Sequence, residues 1–296
     1  EREYYPITEN QRGLYIDWEM NRETTQYNTP NVYIFNGIDK DKLAEAVKKA
    51  VDAHSYLKTR LILVKQETSL ADGTVTTFEQ VMQKQFSDEP VEVDTVSLEQ
   101  EPDAEYFQKL VTPFDLLGER LYRFTIAVSG DKTFLFMDIH HIIFDGLSNG
   151  RLLQDVIAAY KGEELEKEEI TALDYAVYEQ KLLQDESFNE ITKYFEELVW
   201  ESECVNYPDS VENTENKDGN TSVTIKLSVP SNKIDEFCKK QNVTEGSFWQ
   251  AAFAETLYRM VREDKPLYVT VSNGRSASIG LENSMGMFVK TLPVVF

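Results

Sequence analysis

The sequence predicts an α/β protein, and three observations predict it. Short apolar runs of strand composition alternate with segments whose apolar residues recur at helical spacing. Clusters of Gly, Asp, Asn and Ser punctuate the two kinds of segment. The chain has 296 residues, 41% of them hydrophobic, enough for one large α/β unit or two ordinary domains.

The elements follow in order. Leu14, Tyr15 and Trp18 give a helix over 8–20, with Thr8 as its cap. Residues 31–35 read as a strand. Over 41–54, Leu43, Ala46, Val47, Ala50 and Val51 form one helical face. A strand at 61–64 and an extended piece starting at 74–78 are expected to meet at an Ala71-Asp-Gly73 turn. A short helix over 102–111 closes at Pro113. Strands at 121–128 and 132–139, joined by Ser129-Gly-Asp131, carry the signal of a hairpin. After Gly146 the stripe Leu152, Leu153, Val156, Ile157, Tyr160 is a helix packing into the core. Charged residues 162–169 mark a candidate boundary, and helices at 172–183 and 188–201 follow. Residues 206–220, rich in Asn, Asp, Glu and Gly, read as a loop. A strand at 222–229, helices at 232–240 and 247–261, and a strand at 267–272 complete the alternation. The two halves share a rhythm without a clean repeat. The apolar stretch 287–296 reads as a strand at which the chain stops, so a longer parent is expected.

Composition excludes several functions. There are 52 acidic against 30 basic residues, a formal net charge of −22. No basic stripe offsets that field, so nucleic-acid binding is not expected. A solvated acidic surface is the simpler account of the charge, ahead of a cationic partner patch. Cys204 and Cys238 lack both a disulfide framework and metal spacing, and they fit a reducing cytoplasm. No secretory h-region and no bilayer-length apolar run is present in the sequence given, so a cytoplasmic protein is expected.

The chemistry concentrates in Asp138-Ile-His-His-Ile-Ile-Phe-Asp-Gly-Leu-Ser148. The chain has three histidines, and two of them are His140 and His141. Imidazole is the side chain that titrates near neutrality, so a strand-to-helix junction bearing it is a candidate proton handler. Adjacent strand residues point to opposite faces, so one imidazole can face a cleft while the other packs inward. Asp145 follows after an apolar spacer and can return a carboxylate beneath the rings. Gly146 admits close backbone passage or a positive φ. Two buried, satisfied histidines at a strand end fit the run equally well. No Gly-x-Ser-x-Gly elbow is present, and Ser148 at the helix start reads as a capping or surface hydroxyl. No metal site is expected, and His54 shows no sequence relation to the pair. What survives is proton transfer or alignment between two external reactants.

Five stretches together resemble a family. His140-His-Ile-Ile-Phe-Asp-Gly146 is similar to the HHxxxDG signature of the condensation domains of nonribosomal peptide synthetases, a motif shared with epimerisation domains and chloramphenicol-acetyltransferase-like acyltransferases. Tyr5-Pro-Ile-Thr-Glu-Asn-Gln-Arg-Gly13 resembles the family's opening motif. Pro113-Phe-Asp-Leu116 with Leu121 and Arg123 resembles the segment before the histidines. Leu173-Asp-Tyr-Ala-Val-Tyr178 and Gly286-Met-Phe-Val-Lys-Thr-Leu-Pro293 resemble the two motifs after them. Lys290 stands where the family usually has asparagine, and Phe144 where it often has a small residue.

The resemblance implies an α/β fold of two chloramphenicol-acetyltransferase-like lobes, mixed sheets flanked by helices, in a V-shaped arrangement around an active-site tunnel. Residues 1–165 would form the N-terminal lobe carrying the histidines, and 166–296 a linker and an incomplete C-terminal lobe. It implies amide-bond formation between a donor acyl or peptidyl thioester and an acceptor aminoacyl amine. His141 would be catalytic, orienting or deprotonating the amine or stabilising the tetrahedral intermediate. His140, Asp145 and Gly146 would support the site, with Arg275 of Ser272-Asn-Gly-Arg275 paired to Asp145. No cofactor or metal would be bound by the domain itself. Upstream and downstream peptidyl carrier domains would present phosphopantetheine arms, beside a neighbouring adenylation domain, without nucleic acid or membrane and with the excised domain monomeric. An epimerisation domain and a non-catalytic carrier-protein docking domain are the alternatives.

Overall fold

The computed structural model describes residues 2–69, 74–200, 202–204, 224–261, 265–275 and 279–295. The chain forms two compact units: Glu1–Asp185 with Ser272–Lys290, and Glu186–Val271 with Thr291–Phe296.

The first unit is built on a four-stranded sheet. Its order is β2 (Asn31–Asn36), β7 (Lys132–Ile139), β6 (Tyr122–Ser129) and β5 (Asp94–Ser97). β2, β7 and β6 are antiparallel, and the short β5 runs parallel to β6. The expected hairpin forms, pairing Ser129 with Lys132 around Gly130 at φ 56°. A turn this tight needs a positive φ, which glycine supplies without steric cost.

β7 is the spine of the unit. All of its residues except Lys132 are buried, so both faces are covered. One covering layer is α2 (Lys40–Ala53), whose stripe Leu43, Ala46, Val47, Ala50 and Val51 is buried as the spacing predicts. It packs against α4 (Gly146–Lys161) through Leu152, Val156 and Ala159. On the other face, Phe107 of α3 (Ala104–Gln108) stacks on Phe136 with centroids 6.0 Å apart. A strand sealed on both sides delivers whatever follows it to a defined place, and here the histidines follow it.

A second sheet, β1 (Tyr5–Pro6), β4 (Val75–Gln85) and β3 (Thr59–Ser69), is antiparallel. Its long strands pair from Thr59↔Gln85 to Ser69↔Val75, well beyond the four residues that apolar content alone marked. The outer part carries polar and charged side chains on both faces, which hides it from a hydrophobicity pattern. The expected turn at 71–73 lies outside the described residues. α1 (Glu9–Met20) starts at Thr8, as predicted, with a full capping box: Thr8 caps Gln11 and Gln11 caps Thr8.

α4 ends at Gly162, whose φ of 89° gives a left-handed cap. The charged residues after it do not end the compact unit. Glu168 turns back to His54, and α5 (Ala172–Leu182) buries Ala172, Leu173, Tyr175 and Ala176.

The second unit contains α6 (Glu186–Trp200), α7 (Ser231–Gln241), α8 (Glu245–Val261) and a sheet of order β10 (Lys290–Val295), β9 (Pro266–Ser272), β8 (Glu203–Cys204). α7 and α8 meet through Phe237 and Phe248, centroids 5.6 Å apart, over buried Ile234, Cys238, Ala254 and Leu257. Of the strand expected at 222–229, the described part, 224–229, forms no strand, and 222–223 lie outside the described residues. Its alternation satisfies β-propensity, but propensity only says that a residue suits a pleated surface. The loop expected at 206–220 lies outside the described residues.

Leu152 is completely buried where α4 meets the core. Leu152→Ala is expected to cost about 2–5 kcal/mol, read as a lower urea midpoint with an unchanged slope.

Candidate functional site

The site begins where β7 stops. Its ladder ends at Ile139, and His140 makes one further bridge, to Asn28. The His140 N–H donates to Leu121 O at 2.9 Å, and the His141 N–H to Tyr27 O at 2.8 Å. His141 then opens a 3₁₀ turn, His141–Ile143. The two imidazoles are therefore separated by the end of the strand and not by its alternation, which corrects the reason for the division while keeping its outcome.

His140 is 2% exposed and lies edge-on to Phe114 and Tyr27, at 5.8 and 6.3 Å. Its Nδ1 accepts the Ile142 N–H at 3.1 Å, which leaves the proton of the neutral ring on Nε2. Burial, helped by the neighbouring His141, pushes its pKa down to about 3, so His140 is neutral. His141 is partly exposed. Its Nδ1 is buried without a hydrogen-bond partner. The geometry thus leaves one imidazole free to meet an external reactant.

Asp145 is the N-cap of α4, accepting the Ser148 N–H at 2.9 Å. Arg275 grips it bidentately, Nη1 to Oδ2 at 2.7 Å and Nη2 to Oδ1 at 2.9 Å. The Phe288 N–H adds a bond to Oδ2 at 3.2 Å. Both side chains are almost wholly buried, 0% and 4% exposed. Burial alone would raise the Asp145 pKa. The guanidinium and the Ser148 N–H outweigh it and hold the carboxyl below its ordinary value. Arg275 is fixed in turn by Ser284 O at 3.0 Å, by Ser148 Oγ at 2.9 Å and by the Phe288 ring beneath it at 4.6 Å.

Two members of this cluster differ from the sequence reading. Ser148 is neither a cap nor a surface hydroxyl. It is buried, donates to Asp145 Oδ1 at 2.8 Å and accepts from Arg275 and from the Gly286 N–H at 3.1 Å. Gly146 opens α4 without a positive φ, and nothing lies within 4 Å of where a Cβ would stand. It leaves open space beside the turn. The close approach occurs instead at Gly274, at φ 65°, where a Cβ would come within 1.8 Å of the Phe288 carbonyl oxygen. No side chain fits there, so Gly274 lets the Arg275 loop lie on the 286–288 segment.

His54 was missed because its partners are 101 and 114 positions away. At the C-terminus of α2 it is fully buried, with Nε2 on Asp155 Oδ2 at 2.6 Å and Nδ1 on Glu168 Oε1 at 2.7 Å. Burial works against its charge, but the two carboxylates prevail and raise its pKa. Glu168 Oε1 also accepts the Met285 N–H at 2.7 Å, so this clamp supports the stretch that meets Asp145. Lys290 pairs with Glu179 of α5 at 2.9 Å. Burial lowers its pKa, and Tyr175 with Glu179 more than restores it. Among the described residues, no cluster of three or more His, Cys, Asp or Glu could hold a metal ion, and no helix is long and apolar enough to cross a membrane.

Residues 1–296 match the family model described as Condensation domain. Tyrocidine synthase 3 of Brevibacillus parabrevis is 26% identical over 297 residues, covering 98% of this chain and 4% of that protein. The curated relatives it matches are far larger: the chain spans 4–8% of their length. Among solved structures, the condensation domain of the monacolin K polyketide synthase MokA superposes with a TM-score of 0.78 at 19% identity, covering 99% of this chain and 67% of that one. The epimerization domain from the third module of tyrocidine synthetase B gives 0.75 at 17%, covering 100% and 70%. These likenesses establish the mixed α/β fold, with sheets flanked by helices.

Arg275→Ala strands a buried carboxylate and is expected to cost about 3–5 kcal/mol in urea unfolding. The double variant Asp145→Asn/Arg275→Met should cost less than the two single changes added together. The histidines predict opposite pH limbs. His54 binds its proton more tightly folded than unfolded, so its contribution is full below its ordinary 6.5 and is lost as pH rises through the raised folded value. His140 takes its proton first in the unfolded chain, so stability falls as pH drops from 6.5 toward about 3. Unfolding measured across pH should show His54→Asn flattening the alkaline limb and His140→Asn the acid limb. Slopes identical to the parent would remove these assignments.

Proposed function

The chain belongs to the condensation-domain family, and on that premise we propose that it forms an amide bond as a condensation domain of a nonribosomal peptide synthetase. The donor is an acyl or peptidyl thioester, and the acceptor an aminoacyl amine. Both are carried on phosphopantetheine arms of upstream and downstream peptidyl carrier domains, with an adenylation domain as neighbour. The amine lone pair attacks the thioester carbonyl, the C–N bond forms as the C–S bond breaks, and the proton lost by nitrogen leaves with the thiolate sulfur.

One observation carries the reading: His141 is partly exposed and its ring has no anchor on Nδ1, on a turn whose three main-chain N–H groups are all hydrogen-bonded. A thioester is already activated, so aligning the reactants can supply about 7–11 kcal/mol in favourable cases. An imidazole within reach of the nitrogen contributes about 10²–10⁴-fold by orienting the amine or taking its proton. In this reading His140, Asp145, Gly146 and Arg275 support the turn without touching the reactants. In the same reading, residues 1–165 form the N-terminal acetyltransferase-like lobe that carries the histidines, and 166–296 the linker and part of the C-terminal lobe.

The test supplies the protein with donor- and acceptor-loaded carrier proteins and follows amide product. His141→Ala is expected to lower turnover by about 10²–10⁴-fold with its fold intact. Unchanged turnover removes His141 from catalysis. Exchange of the donor α-proton without an acceptor assigns epimerisation instead, and carrier binding with no turnover by the parent protein assigns docking.

A further inference from the structure

The opening stretch Tyr5–Gly13 has no part in the chemistry so far, yet it supplies the most connected buried amide of the first unit. Gln11 on α1 is 1% exposed. Its Oε1 accepts the Thr8 N–H at 2.9 Å, which completes the capping box. The cap accounts for only half of the group. Nε2 faces three acceptors: Tyr56 Oη at 3.1 Å, Gln83 Oε1 at 3.0 Å and the carbonyl of Ile142 at 2.9 Å. Ile142 is the residue after His141.

We infer that Gln11 is a positioning residue for His141, its buried amide bonded to the next carbonyl and so fixing the turn that presents the imidazole. The His141 ring has no anchor of its own on Nδ1, so its backbone sets where it stands. The other bonds to that backbone come from main chain or from His140 itself: His141 N–H to Tyr27 O, Ile142 N–H to His140 Nδ1, Ile143 N–H to His140 O and Phe144 N–H to His141 O. Among the described residues, Gln11 is the one side chain from another element that bonds the turn's main chain.

The anchor is itself rigid. Gln83 on β4 is fully buried, donates to Pro6 O at 2.7 Å and accepts from Tyr56 at 3.1 Å. α1, β4, the 3₁₀ turn Ser55–Lys58 that carries Tyr56 and the histidine turn thereby share one hydrogen-bonded group. An amide buried in apolar surroundings costs free energy unless it is satisfied, and methionine would fill the same volume without that cost. What the amide adds is a directed bond, and that bond ends on the histidine turn.

The test reads His141 directly. With three histidines in the chain, each imidazole can be assigned by single substitution and titrated by NMR. Gln11→Met and Gln11→Asn both release the Ile142 carbonyl, the second because its amide is one methylene short. Either variant that folds is expected to shift and broaden the His141 ring signals, leaving those of His54 in place. Tyr56→Phe, which keeps the Ile142 bond, is expected to leave His141 unchanged. Under the amide-forming reading, on which only this second measurement rests, kcat falls by about 10–100-fold with little change in KM. His141 ring signals that superimpose on the parent overturn the inference whatever the fate of turnover. Failure of both variants to fold overturns it too, since the amide then serves the whole unit. Shifted His141 signals in a protein with no amide-forming turnover leave Gln11 in place and reject the reaction.

Discussion

The carboxylate of Asp145 is the point from which the histidine turn is held. Its two oxygens accept five bonds: the N–H and hydroxyl of Ser148, two from Arg275 and the main chain of Phe288. Those donors come from the start of α4, the loop after β9 and the segment before β10. An exposed pair of this kind would contribute at most about 1 kcal/mol. Buried and saturated, it works by the penalty for opening it, because any one partner withdrawn leaves charge without solvent. The electropositive start of α4 adds to the same side of the balance. Position is what this interaction provides.

The three histidines show that surroundings and not residue type assign the role. His140 sits among aromatic rings with a main-chain donor on Nδ1, and it stays neutral. His54 lies between two carboxylates and holds its proton. His141 alone is partly exposed, with no anchor on its Nδ1. Both buried rings meet segments tied to the histidine turn or to the stretch beside Asp145: Ile142 for one, Glu168 and Met285 for the other.

Much of this was legible in the sequence where the information is local. The apolar stripes of α2 and α4, the hairpin of β6 and β7 and the Thr8 cap follow from spacing and turn chemistry alone. The Asp145–Arg275 pair did not; it came from resemblance, since no local pattern joins positions 130 apart. His54 was unreadable for the same reason. Ser148 was misplaced because a serine near a helix start usually caps or faces water, whereas here Asp145 takes the cap and frees the hydroxyl for Arg275 and Gly286. Gly274 looked like any loop glycine until the Phe288 carbonyl was seen beside it. The polar ends of β3 and β4 escaped because a ladder, and not burial, holds them.

The separation of Asp145 from Arg275 also bears on how the protein is born. During synthesis the carboxylate leaves the ribosome well before the guanidinium that neutralises it. At about 5–20 residues per second, the 130 intervening residues take roughly 7–26 s to arrive. Through that interval α4 can nucleate on Ser148 alone, with an acid exposed at its head that water must solvate. The histidine turn therefore waits on a distant residue, and a chain made only as far as α4 carries the histidines before the Asp145–Arg275 pair can form.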